Sequence, residues 1–457
     1  MTSVTAYVEG GGGRALARAR ELGPGGTVQE VQLSGLRGRG GAGFPTGRKW
    51  QSVRDSAGPE QDRYVVCNGA EGEPGTFKDR AIMRANPYQV IEGVAIAALT
   101  MAAKQAFIGL KASFAVELDR LERALTEMEA EGLAGDVPIT LVSGPDEYLY
   151  GEETGLLQVI EGDAPLPRLV PPYLHGLFAT GPEVGWSAGP RVGGGGGGHP
   201  PTEFASSNPT LVNNVETLAT VGHILARGPE WHRSLGTPQS AGLAVCTVVG
   251  DVARAGVAEV EMGTPLRVVI DRVGGGVRPG RTIKAVLSGV ANPVLTAAEL
   301  DTPVSYEAME SVGSGLGSCG FIVYDDTTSA VELARVVSRF LYVESCGQCP
   351  ACKLGTGAIT DQVDALLSGG ADGDEIDVVA ARLRSVTDGN RCYLPVQEQR
   401  VVASLLRAFP EEFLAAQDGR PPSRRGLQIA KLVEVTYGQA IYDELQARKQ
   451  PDWTYED

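Results

Sequence analysis

The sequence is short of several things. No run approaches the ~18 consecutive apolar residues of a membrane-spanning helix, so direct membrane insertion is not expected. The opening residues, Met1-Thr-Ser-Val-Thr, lack the charged and then apolar stretch of a secretory leader. Basic residues are outnumbered, 40 Lys and Arg against 56 Asp and Glu. The resulting net charge of −16 argues against nucleic acid, whose phosphates such a chain would repel. Histidines number four, and none lies beyond His232. Without a leader, the seven cysteines point to a reducing, cytoplasmic compartment and to thiolate chemistry rather than disulfides.

Glycine is in excess, 61 of 457 residues, which implies many turns, close backbone approaches or a local low-complexity insert. The length fits about two to four domains, and a hydrophobic content of 42% is enough for real cores.

The cysteines are not scattered. Glu344-Ser-Cys346-Gly-Gln-Cys349-Pro-Ala-Cys352 is a C-x2-C-x2-C run, and Cys392 is the one cysteine after it. One turn of backbone can wrap three corners of a cubane, with the fourth thiolate arriving from elsewhere, so the spacing favours a [4Fe–4S] cluster. Zinc is the competing reading. Zinc sites more often pair two C-x2-C knuckles or mix in His, and no histidine lies in this half.

Ahead of that run, Gly35-Leu-Arg-Gly38-Arg-Gly40-Gly41-Ala-Gly43-Phe44-Pro-Thr-Gly47-Arg-Lys49-Trp50 contains a G-x-G-x-x-G match. A dinucleotide fingerprint needs a strand before it and a helix directly after it. Here the upstream pieces, 14–22 and 28–33, read as helices broken at 23–26, so a standard Rossmann unit is rejected. A loop without Cβ atoms, interleaved with Arg37, Arg39, Arg48 and Lys49, still suits a phosphate or nucleotide. Apolar runs at 64–67, 105–110 and 137–142 read as strands, alternating with helices at 76–84, 88–103 and 117–131, which is an α/β layer pattern. Polar groups follow the strand ends, at Asn68 to Gly75 and at Tyr148 to Thr154, where α/β folds place ligands. Composition collapses to Gly, Pro and Ser at 181–209, a flexible insert. A helix is expected from Val212, with Asn213 and Asn214 as N-caps. Short β-runs follow at 244–249, 257–261, 266–270, 283–287 and 320–324, with room for one helix after Pro265. Four helices, 329–343, 355–368, 374–387 and 395–408, suggest a small bundle. The tail from Arg420 is charged, with few core signals apart from 429–435 and 440–445.

Taken together, Gly35 to Gly47, Glu71-Gly-Glu-Pro-Gly-Thr-Phe-Lys-Asp-Arg80, Gly151-Glu-Glu-Thr154, Val212-Asn-Asn-Val-Glu-Thr-Leu218 and Glu344-Ser-Cys-Gly-Gln-Cys349 resemble one family. It is the NADH-binding, FMN-carrying flavoprotein subunit of respiratory complex I, with relatives in NAD-linked hydrogenases and formate dehydrogenases. The resemblance runs in order over about residues 10 to 415 and implies a multidomain α/β protein. Its parts would be an α/β flavin domain (1–237), a small ubiquitin-like β-grasp domain (238–327), a C-terminal four-helix bundle carrying the iron–sulfur cluster (328–415) and a tail (416–457). Carried over by motif, FMN would be held by Gly38, Gly40, Lys49, Asn68, Glu71, Tyr148, Gly151, Glu152, Glu153, Asn213 and Asn214. NAD(H) would use Glu73, Glu153, Phe44 and Tyr173, the two aromatic rings stacking on adenine. Cys346, Cys349, Cys352 and Cys392 would ligate [4Fe–4S].

The implied activity is that of an NADH dehydrogenase subunit: hydride exchange between NAD(H) and FMN, then single electrons through the cluster. The implied partners are a thioredoxin-like [2Fe–2S] subunit and a larger iron–sulfur subunit. The chain departs from the family at Ala70, Val170 and Ser52, all at the nucleotide end. These departures keep a second expectation open, an electron relay that has lost nucleotide binding and draws on a protein donor.

Overall fold

In a computed structural model of the chain, residues 1–58, 61–180 and 207–455 are described, and most of the glycine-rich insert expected at 181–209 lies outside them. The first half is built on four parallel strands, β1 (Tyr64–Asn68), β2 (Gln105–Lys111), β3 (Ile139–Gly144) and β4 (Thr210–Asn214), in the order β3-β2-β1-β4. Strand β1 shows why the sheet must lie between two layers. Val65 and Cys67 pack into the core under helices Arg14–Leu33, Pro87–Met101 and Val215–Arg227, while Tyr64 and Val66 face a second cluster with Phe107, Leu156 and Leu177. A parallel strand buried on both faces is expected to be apolar throughout. Helix Pro87–Met101 starts where its sequence says it should: the Asn86 side chain accepts from the Gln89 N–H, and Pro87 fills the first turn.

Of three expectations here, one holds and two change. The break expected at 23–26 is present: Gly23, with φ +66°, lies outside helical geometry and divides Arg14–Leu33 into two helical pieces just before Pro24. Residues 212–214, read as the start of a helix, instead end strand β4, which pairs in parallel register with β1, and the helix begins at Val215 with Asn214 as its cap. The run 266–270, read as β with room for one helix after Pro265, is that helix (Leu266–Gly274). Its buried residues, Leu266, Val269, Ile270 and Val273, recur at helical spacing. Each such side chain removed from water contributes about 1.5–3 kcal/mol.

That helix packs on a mixed five-stranded sheet of order β6-β5-β9-β7-β8: β5 (Leu243–Gly250), β6 (Gly256–Glu261), β7 (Ile283–Ser288), β8 (Leu295–Thr296) and β9 (Gly320–Asp325). Strands β5 and β9 are parallel and the remaining pairs antiparallel. Helices Ala330–Glu344, Pro350–Ser368, Glu375–Ser385, Leu394–Ala408 and Pro410–Gln417 then form a bundle. The bundle shares one continuous core with Leu287 and Ile322 of the second sheet and with Leu149 of the first half.

The tail is not a loose end. Ile429, Ala430 and Leu432 are buried, and a hairpin of β10 (Leu432–Thr436) and β11 (Gln439–Tyr442) follows. Among the described residues no helix is long and apolar enough to cross a membrane.

Candidate functional site

The glycine loop is pinned at its base and free of side chains at its tip. Arg37 and Pro45 form an isolated bridge, the Gly38 N–H donates to the Phe44 carbonyl at 2.9 Å, and the Arg37 Nε donates to the Gly43 carbonyl at 2.7 Å. Gly43 has φ +63°, and a Cβ there would lie 2.3 Å from the Tyr306 ring, so no other residue fits. The Tyr306 hydroxyl in turn donates to the Gly38 carbonyl at 2.7 Å. Two arginines counted with this loop serve its structure instead. Arg39 is buried and donates to the Ala241 and Leu243 carbonyls, both at 3.0 Å, and the Arg37 guanidinium lies 4.1 Å over the Tyr306 ring.

The loop lies over the carboxyl ends of the parallel strands, with a Cβ at Gly40 meeting the Asn214 Cβ at 3.3 Å. Asn68 at the end of β1 donates to the Gly151 carbonyl at 2.8 Å and accepts from the Ala70 N–H at 3.1 Å. Buried Trp50 donates its indole N–H to Asn213 at 2.8 Å, and Lys49 pairs with Glu153 at 2.7 Å. Gly38, Gly40, Lys49, Asn68, Gly151, Glu153, Asn213 and Asn214 are thereby tied into one region at the strand ends.

Other expected residues are committed inside the protein. Glu71 accepts from the Asp79 N–H at 3.1 Å and from Arg80 at 3.4 Å; burial and the Asp79 charge push its carboxyl up, against Arg80 and Lys78. Glu152 caps the helix Glu153–Ile160, accepting from the Thr154 and Gly155 N–H groups at 2.8 Å each. Asn214 also donates to Asp79 at 2.7 Å.

Glu73 accepts from the Tyr148 hydroxyl at 2.5 Å and from the Val290 N–H at 2.6 Å. Burial raises its carboxyl to about 6 against those two bonds. Phe44 and Tyr173 are exposed, with the Arg48 guanidinium 5.8 Å over the Phe44 ring. Of the departures, Ala70 is buried, Val170 half-buried and Ser52 exposed.

The four cysteines converge. Cys346 and Cys349 sit in the loop before helix Pro350–Ser368, Cys352 lies in its first turn, and Cys392 precedes Leu394–Ala408. They line one small cavity together with Leu149, Arg391 and Pro395. Burial pushes the Cys392 thiol up to about 12 and Cys352 higher still, and each is raised further by its fellow cysteines. Thiolates so placed stand together only around strongly positive charge. The cavity's four thiols, with no histidine among its lining residues, are the ligand set usual for a cubane cluster, one to each iron, whereas zinc sites more often mix in His.

The two regions are joined by one short element, the 3₁₀ turn Tyr148–Gly151. Its last carbonyl holds Asn68, its Leu149 lines the cysteine cavity, and the Tyr148 hydroxyl accepts from Gln397 of the bundle at 2.7 Å. Sequence reasoning missed Tyr306, Val290 and Gln397. Each acts from 100 or more positions away in the chain, and no local pattern marks it. A separate cavity of about 340 Å³, lined by Tyr7, Arg14, Glu92, His223 and Arg227, shares none of these site residues.

Comparison with known proteins gives the same two regions. Residues 31–223 match the family described as "Nuo51 FMN-binding domain", and residues 332–416 match the "NADH-ubiquinone oxidoreductase-F iron-sulfur binding region". The second NADH-quinone oxidoreductase-F protein of Rhizobium meliloti (strain 1021) is 35% identical over 424 residues, 90% of this chain and 94% of that protein. The NADH-quinone oxidoreductase-F protein of Mycobacterium tuberculosis (strain ATCC 25618 / H37Rv) is 35% identical over 89% of this chain and 88% of its own length. Among solved structures, an NAD+-reducing [NiFe]-hydrogenase in the air-oxidized state superposes with a TM-score of 0.73 at 30% identity. That match covers 89% of this chain and 65% of the hydrogenase chain, just under two thirds of it.

Proposed function

The chain belongs to the NADH-quinone oxidoreductase-F family, and on that premise we propose that it is the NADH-oxidising subunit of a larger electron-transfer assembly. It is an NADH dehydrogenase subunit with FMN, a [4Fe–4S] cluster and NAD(H) as its redox groups. When bound, FMN supplies hydride chemistry with the nicotinamide and the cluster supplies one-electron transfer.

The protein's part is to bind, orient and exclude water. Gly38 and Gly40 present a loop without side chains to the flavin. Asn68, Gly151, Asn213 and Asn214 line the strand ends beneath it, and Lys49, paired with Glu153, supplies positive charge for its phosphate. Glu71, Glu152 and the Tyr148 hydroxyl are internally bonded, so they act by holding this frame. Glu73 and Glu153 have lone pairs left for nucleotide hydroxyls, and Phe44 and Tyr173 are exposed rings for the adenine. The five-stranded sheet reads as the ubiquitin-like β-grasp domain, and the four helices from Ala330–Glu344 to Leu394–Ala408, around Cys346, Cys349, Cys352 and Cys392, as the four-helix cluster bundle, with Pro410–Gln417 packed against it.

Electrons leave beside Leu354 and Tyr393, which are 72% and 48% exposed next to Cys352 and Cys392. Here the thioredoxin-like [2Fe–2S] subunit or the larger iron–sulfur subunit would sit.

The observation that carries this reading is the turn Tyr148–Gly151, four residues that touch both the strand-end site and the cysteine cavity. Its test is Cys349→Ser in the anaerobic holoprotein. The variant should lose iron and sulfide while NADH still bleaches the flavin band. Wild-type protein whose flavin responds to dithionite but to neither NADH nor NADPH would contradict it.

A further inference from the structure

One buried ion pair lies outside both sites. Lys449 Nζ, from the tail, sits 2.9 Å from each oxygen of Glu344, and both side chains are 2% exposed. Glu344 is the last residue of the helix that leads into Cys346. Its carboxylate also accepts from the Tyr148 backbone N–H at 3.1 Å and from Gln446 at 3.0 Å. One carboxylate therefore joins the tail, the cysteine loop and the turn between flavin and cluster.

The tail is strapped down on both sides of that pair. Toward the cluster, the Trp453 indole N–H donates to the Val343 carbonyl at 3.0 Å. Lys353, adjacent to Cys352, donates to the Ser345 carbonyl at 2.8 Å and to that of Pro451. Toward the flavin domain, Arg80 donates to the Leu432 and Val433 carbonyls, Arg84 pairs with Glu434 at 2.7 Å, and Lys431 pairs with Asp146.

Stability alone does not explain the pair. Burying two charges costs several kcal/mol per ion, and well-packed apolar residues of the same volume are often as stable. What apolar residues would not supply is a carboxylate that binds the Tyr148 N–H, nor a cation that cancels its charge beside the cluster. Net charge and hydrogen bonding near the sulfurs set a cluster's potential.

We propose that Lys449 is a positioning residue for electron transfer: through Glu344 it seats the turn Tyr148–Gly151 against the cysteine loop and balances the charge beneath the cluster. The proposal rests on the relay reading above. Reduction adds one negative charge to the cluster. An unbalanced Glu344 then opposes reduction, and an unbalanced Lys449 favours it.

The test is an EPR-monitored redox titration of the anaerobic full chain, with FMN, iron and sulfide assayed in every sample. K449M should lower the cluster midpoint and E344Q should raise it, each by about tenfold in the one-electron equilibrium, or about 59 mV. The E344Q/K449M double variant should return to the wild-type value, and K449R should keep it. In K449M the cluster signal should lag behind flavin bleaching by NADH more than it does in the wild type. Cluster-replete K449M with an unshifted midpoint overturns the proposal, as do single variants that shift in the same direction. If K449M does not retain its cluster, E344Q decides, and an unchanged midpoint there is equally fatal. Wild-type protein without iron and sulfide would instead remove the relay reading itself.

Discussion

Glu398 shows what a single buried group does to this molecule. Its carboxyl is fully buried, accepts one hydrogen bond from Ser338 at 2.6 Å, and has a second oxygen with no partner. Burial holds it up at about 8, against an ordinary value of 4.5. Between those values the folded state binds a proton that the unfolded state has released, so stability falls as pH rises through that window. Glu398→Gln should flatten the fall and raise the thermal midpoint near pH 8, since each tenfold change in proton affinity is worth about 1.4 kcal/mol. Equal pH slopes for the two proteins would contradict this.

Gly289 is a second case. It has φ +62°, and a Cβ there would lie 2.2 Å from the Glu73 carboxylate. Gly289→Ala should displace Glu73 and lower kcat/KM for NADH by about tenfold or more, a loss of roughly 1.4 kcal/mol. The cluster EPR signal should not change. Neither residue was legible in advance. The grouping of the cysteines was, because the spacing of the first three is local and Cys392 is the one cysteine after them.

Elements were legible where their own period decides them. The edge strand β3 is partly exposed, but β1 and β2 read correctly because a parallel strand buried on both faces is apolar throughout. Strand β4 did not. Val212-Asn213-Asn214 looks like a capped helix, and Asn214 is indeed a cap, but the five residues before Val215 are claimed by β1, far earlier in the chain. The run 266–270 stayed open between strand and the helix allowed after Pro265 for another reason: a short β-branched stretch fits both until Val273 extends the helical spacing.

The glycine loop was legible as a ligand loop but not in how it is held. Arg39, read as part of an anion site, instead ties the loop to the start of the second sheet. Arg39→Met would leave the Ala241 and Leu243 carbonyls without their donor, at about 1–3 kcal/mol each. It should lower FMN occupancy while iron and sulfide stay at wild-type levels, which a flavin-to-iron ratio measures. Equal flavin and iron losses would contradict that division.

At the scale of the whole molecule, the sequence suggested three units and a charged tail with core signals at 429–435 and 440–445, and the structure shows what that tail is tied to. Arg425 pairs with Asp251 at 2.7 Å and Asp325 at 3.0 Å in the second sheet, while Glu332 of the bundle accepts from the Gly426 and Leu427 N–H groups. Further on, Lys449 reaches Glu344. These partners lie about 100 or more positions upstream, so the sequence could show the tail's charge and its two apolar stretches but not what they meet. The result is a chain whose strand-end site and cysteine cavity are fixed to one another by a four-residue turn and a terminal strap.

The central claim is that one chain takes electrons in pairs from NADH and releases them singly through its own cluster. Adding NADH to the isolated, oxygen-free holoprotein, with flavin absorbance and EPR recorded on the same sample, tests it most directly. The expected result is a bleached flavin band together with the EPR signal of a reduced [4Fe–4S] cluster, with no partner subunit present. A bleached flavin beside a cluster that stays oxidised, though dithionite reduces it, would contradict the claim.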